Sequence, residues 1–142
     1  MAEISLRKAR TIVRKTLEKS RDMGLKPMSV VVLDAGGHVK AFEREDGASP
    51  GRFDIAQGKA YGTVMLGMAG TAQMARAESQ HYFMTAANGV YGGKVIPVPG
   101  GVLVRNAKGD VLGAVGVTGD TSDKDAEAAT AGIEAAGLVA EI

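Results

Sequence analysis

The chain has no cysteine, which excludes disulfides and thiolate-held metals. It has no tryptophan and only three tyrosines and three phenylalanines, yet it carries 20 glycines. That balance points to close backbone contacts rather than bulky packing. Net charge is nearly absent, at +1 with a pI near 8.0, and the basic residues are interleaved with acids. No electrostatic footprint for nucleic acid follows. Long apolar runs are missing too. The uncharged stretch 60–75 is short for a bilayer span and carries Gly62, Thr63, Gly67, Gly70, Thr71 and Gln73, so it is rejected as a membrane helix. The opening MAEISLRKAR lacks an apolar signal core, which predicts a cytoplasmic protein. No His/Asp/Glu cluster has metal-ligand spacing, so no dedicated metal site is expected.

What is present fits one domain, residues 1–142, long enough for a real core. The most informative stretch is Pro97 to Asp125. Two valine-rich runs, Val102 to Arg105 and Val111 to Val117, flank the polar turn Asn106 to Asp110 with Gly109 inside it, and read as a hairpin. Pro99 cannot donate to a strand ladder, so pairing is expected after Gly100-Gly101. On the second strand Val111, Gly113, Val115 and Val117 share one face. Leu112, Ala114, Gly116 and Thr118 share the other, whose small residues admit a helix backbone or a ligand, with helix packing the ordinary reading. Thr121 or Ser122 then caps a last helix reaching toward Val139, with Asp123 and Asp125 in its positive first turn.

Upstream, Ser5 is expected to cap a helix ending near Met23, with Ala9, Ile12, Val13, Thr16 and Leu17 on its buried stripe. Met28 to Asp34 is a continuous apolar run suited to a covered strand, and Ala35-Gly36-Gly37 turns the chain into a more polar edge strand, His38 to Arg44. Ser49-Pro50 predicts a cap followed by a helix from Gly51 to Leu66, whose Gly58 and Gly62 suit tight packing. Thr71 to Ser79 is a second helix. His81 to Gly93 lacks a clean period and reads as a loop with one helical turn, and Val95-Ile96 as the start of a short strand. Hairpins give an antiparallel sheet with helices for both faces, an α+β domain of three layers.

His38 and His81 are the two side chains that ordinarily titrate near neutrality, and either neutral imidazole can ligate a metal or haem iron. The ordinary reading of each is an exposed or hydrogen-bonded histidine. Met65, Met68, Met74 and Met84 concentrate in the middle, where they suit core gaps or a subunit interface first, and a flexible pocket or an axial haem position second. The glycine pairs match no phosphate or dinucleotide fingerprint. Arg44, Lys59 and Asp125 could form a mixed-charge pocket for a small acid, or ordinary salt bridges.

Four segments carry a family resemblance: LRKARTIVRKTLEKSRDMG, SVVVLDAGGHVKAFEREDGA, SPGRFDIAQGKAYGT and PVPGGVLVRNAKGDVLGAVGVTGDTSDKDAEAATAG. Together they run nearly end to end, and the last is the most specific. On them the chain resembles the GlcG/HbpS family, which is similar in turn to the C-terminal domain of PduO-type proteins. The resemblance implies a profilin-like fold with a five-stranded antiparallel sheet, a homo-oligomer, and a small-molecule-binding role with haem or a related tetrapyrrole as the ligand. Its alternative is an enzyme or accessory protein acting on a carboxylated metabolite in a catabolic pathway. Carried onto this chain, it marks Gly100, Gly101, Gly116 and Thr118 as ligand-binding positions, with Arg44, Lys59 and Asp125 as pocket candidates. It transfers no axial histidine.

Overall fold

The computed structural model describes residues 3–142. Ser5 caps the first helix, α1 (Leu6–Asp22), its Oγ accepting from Lys8 N at 3.1 Å. The buried face of α1 is Ala9, Ile12, Val13, Thr16 and Ser20, the expected 3.6-residue stripe. Gly24, at φ +67°, takes the left-handed conformation that ends it.

The strands β1 (Ser29–Asp34) and β2 (Val39–Arg44) form the first hairpin, and β3 (Gly101–Arg105) and β4 (Val111–Thr118) the second. With β5 (Val139–Glu141) they make one antiparallel sheet in the order β2-β1-β4-β3-β5. β1 lies between β2 and β4, which pair with its two edges, and helices cover both of its faces. Val30 and Val32 point to one core, Val31 and Leu33 to the other. Burying a side chain of that size stabilises by roughly 1.5–3 kcal/mol. That is why a continuous apolar run, rather than an alternating one, codes this strand.

The first core lies under α1 and α5 (Ser122–Ala135), against Val102, Val104, Val115 and Val117. The second lies under α2 (Arg52–Leu66), where Ala56 and Ala60 meet Val31, Leu33 and Ala114. Two shorter helices, α3 (Gly70–Ser79) and α4 (His81–Val90), extend from α2. The result is the three-layer α+β arrangement expected, with five helices and a five-stranded open sheet.

Five local expectations need correction. Residues 81–90 form a full helix rather than a loop. Only Met84 and Ala87 of α4 are buried, so it lies on the rest through a thin stripe that leaves little period in the sequence. Val95 and Ile96 form no strand. Val95 N donates to Asn88 Oδ1 and Ile96 N to Gly58 O. The last helix stops at Ala135, and Val139–Glu141 instead supplies the fifth strand, on the open edge of β3. Ser49 caps nothing with its side chain: the N-cap of α2 is Gly51, with no side-chain hydrogen bond. Leu112 belongs to the first core, not to the small-residue face, because a register shift opposite Val104/Arg105 turns it over.

Candidate functional site

The seam between α2 and β4 exists because β4 is nearly bare there. A Cβ on Gly116 would strike Ala56 O, and one on Gly101 would strike Lys59 O and Thr63 Oγ1. These glycines let the helix backbone lie on the sheet, as the ordinary reading of the small face held. Gly58 and Gly62 of α2 permit a different close approach, to Lys94 and Ile96 and to Val95 and Gln73 of the segments that follow it. They pack within the chain.

Inside this seam Lys59 Nζ donates to Asp125 Oδ2 and to Val117 O, both at 3.0 Å. Lys59 is 3% exposed and Asp125 fully buried. Asp125 Oδ1 accepts from Asp120 N at 3.1 Å, so both carboxylate oxygens are used. Burial dominates both groups: it pushes the Lys59 ammonium below its ordinary pKa and the Asp125 carboxyl above its own, against the attraction each exerts on the other. Gly100, at φ +111°, leaves room beside the pair. A Cβ there would lie 2.8 Å from Lys59 Nζ and 2.6 Å from Val117 O.

The fold therefore gathers Lys59, Gly100, Gly101, Gly116, Thr118 and Asp125 in one place. Arg44 lies two strands from Thr118, with Ser29 of β1 between them, and its Nη1 donates to Ala48 O at 2.8 Å. The gathered residues form a closed, internally paired seam. One further cation belongs to it: Arg52, whose Nη1 donates to Thr118 Oγ1 at 3.0 Å. Ser29, between Arg44 and Thr118, has a buried hydroxyl without a partner. Neither was singled out from the sequence. The position of Arg52 at the start of a glycine-bearing helix was the only signal.

The two histidines sit in unlike places. His38 lies in the β1–β2 turn with its side chain 80% exposed, its Nδ1 3.2 Å from Asp34 Oδ1. His81 opens α4 and lines a recess of about 240 Å³ with Ala77, Met84, Thr85, Asn88, Val95 and Pro97. Beside α4, the Arg76 guanidinium lies 4.1 Å from the centroid of the Phe83 ring, and its buried Nε has no partner. Arg76 is a third residue that was not singled out from the sequence. Among the described residues no three His, Asp or Glu side chains converge as a metal site, and no helix is long and apolar enough to cross a membrane.

The family model described as "Haem degrading protein HbpS-like" matches residues 4–134. No protein of curated function matches the chain. Among solved structures, the PduOC:heme complex is similar at TM-score 0.84 and 21% identity, covering 96% of each chain. A double mutant of HbpS from Streptomyces reticuli is similar at TM-score 0.79 and 27% identity, over 94% of this chain and 87% of that one. Protein ORFY from Klebsiella pneumoniae is similar at TM-score 0.81 and 24% identity, over 94% and 90%. The likeness to PduOC and ORFY establishes the fold.

Proposed function

The chain belongs to the HbpS-like family, described as haem-degrading, and from that premise we propose that it binds haem or a related tetrapyrrole at the recess lined by His81. The observation that carries this reading is the pairing, on one helix, of an imidazole at the rim and a buried thioether, Met84, below it. Both are side chains that can hold haem iron. The residues around them fit the rest of such a group. Ala77, Val95 and Pro97 give an apolar wall. At about 240 Å³ the recess is smaller than the ~300–1,000 Å³ that encloses a drug-sized ligand, so a macrocycle would lie partly outside it. His81 would hold the iron, and Met84 and Val95 would exclude water. The bound group would supply redox and ligand-binding chemistry at its iron.

His38 has no such surroundings, and its pairing with Asp34 is explained by the turn it closes. Self-association through α3 and α4 is the second half of the proposal, supported by Met74, Tyr82, Phe83 and Val90, all exposed apolar side chains on those two helices.

The test is a hemin titration of the purified protein, read in the visible spectrum, on wild type, His38→Ala and His81→Ala. A saturable Soret shift at one haem per chain, kept in His38→Ala and lost in His81→Ala, is expected. An unsaturable rise, or one indifferent to His81→Ala, would overturn the assignment.

A further inference from the structure

A second, polar site lies at the end of the sheet under the start of α2, away from the His81 recess. In the register of the sheet Ser29 stands directly opposite Arg44 on β2 and directly opposite Thr118 on β4. Directly opposed residues of antiparallel strands share a face, with Cβ atoms about 4.5–5.5 Å apart. Arg44, Ser29 and Thr118 thus form one row across three strands, on the α2 side. Ser29 is fully buried and its Oγ has no hydrogen-bond partner among the described residues, which costs the fold stability. Thr118 is 1% exposed, and its Oγ1 accepts from Arg52 while its own proton goes to no described acceptor.

One guanidinium, that of Arg44, ends this row, and a second, that of Arg52, reaches its other end from α2. Neither Arg44 nor Arg52 forms an ion pair among the described residues. Lys59, two turns further along α2, is already neutralised by Asp125, so its charge does not answer theirs. The α2 helix adds its own positive end. Its N-cap, Gly51, supplies no side-chain oxygen, and the N–H groups of Phe53 and Asp54 donate to nothing among the described hydrogen bonds. Around Ser29 and Thr118 donors outnumber acceptors: an orphaned hydroxyl, a hydroxyl with a spare proton, the Arg52 guanidinium without an ion pair and two open amides.

We propose that Arg52, Ser29 and Thr118 form a seat for one small oxyanion, a carboxylate or a phosphate. The oxyanion takes over the bond that Arg52 now gives to Thr118 Oγ1 and accepts the protons of both hydroxyls. Arg44, held by Ala48 O in the same row, adds charge without contact. The seat is independent of the haem reading and shares no residue with it.

The test titrates acetate and inorganic phosphate separately into the full-length protein at constant ionic strength. The readouts are the amide resonances of Thr118 and Phe53 and the melting temperature. Saturable shifts are expected for one of the two anions, and which one saturates identifies carboxylate or phosphate. A hydrogen bond to a charged group contributes enough that Arg52→Gln should weaken binding about tenfold or more. Ser29→Ala should weaken it several-fold while leaving the ligand-free melting temperature unchanged or higher, because it removes an unsatisfied hydroxyl. A merely structural Ser29 would not separate those two readouts. Linear, unsaturating shifts with both anions, or equal affinity in wild type and both variants, would overturn the proposal.

Discussion

Lys59 Nζ lies 3.0 Å from Asp125 Oδ2, and this one pair joins the helical layers on opposite faces of the sheet. Lys59 comes from α2, above the second core, and Asp125 from α5, above the first. The contact passes beside Val117 O through the space left by Gly100, whose missing side chain opens the way.

Breaking this pair from one side leaves a buried charge without its counter-ion. Lys59→Met or Asp125→Leu alone should therefore cost about 3–5 kcal/mol. The double variant, which removes both charges, should cost clearly less than the sum. Urea unfolding of the four proteins gives the cycle, and additive losses would show that the two groups do not depend on each other.

Gly116 and Gly89 should respond to alanine with opposite signs. A Cβ on Gly116 meets the backbone of Ala56, which cannot rotate away, so Gly116→Ala should destabilise by about 3 kcal/mol. Gly89 lies inside α4 with nothing within 4 Å of its Cβ position and no positive φ. Gly89→Ala should stabilise by about 0.5–1 kcal/mol through helix propensity. Thermal melts of the two variants check both signs at once.

Acid sensitivity should have a contribution from Asp120. Its carboxylate accepts from Lys26 N at 3.0 Å and Thr121 N at 2.8 Å, and these bonds, led by that from Lys26, hold its pKa below the ordinary 3.8. The unfolded chain then binds the proton more readily than the folded one. The stabilisation is present above pH 3.8 and is lost as pH falls from there through the folded value. A carboxyl titration by NMR should place Asp120 below 3.8, and Asp120→Asn should flatten the acid limb of a stability–pH curve. A midpoint at or above 3.8 would show that the two amides do not favour the charged form.

The apolar face of α4 should govern self-association. Tyr82 is 65% and Val90 78% exposed, far more than apolar side chains of a covered helix. Tyr82→Ser with Val90→Ser should shift the protein to smaller species in sedimentation at micromolar concentration without lowering its melting temperature. An unchanged distribution would move the interface elsewhere.

Sequence pattern alone determined the layers of this protein. The Ser5 cap, the unbroken valines of β1 and the Gly109 turn are local signals, each read within a window of a few residues, and the elements they code stand where expected. The glycines of α2 and β4 announced close approach, and close approach is what they permit. Tertiary structure decided the rest. α4 has only two buried residues, so almost no period betrayed it, and β5 forms because the edge of β3 was open to the chain after α5. The same holds for the candidate sites. Lys59 and Asp125 were recognisable as charges, but their meeting depends on two helices on opposite faces reaching past one glycine. Ser29 and Arg76 carry no local mark, and Arg52 only its place at the start of a glycine-bearing helix. They matter because strand register and helix packing bring Arg52 to Thr118 and leave Ser29 Oγ and Arg76 Nε without a partner among the described residues.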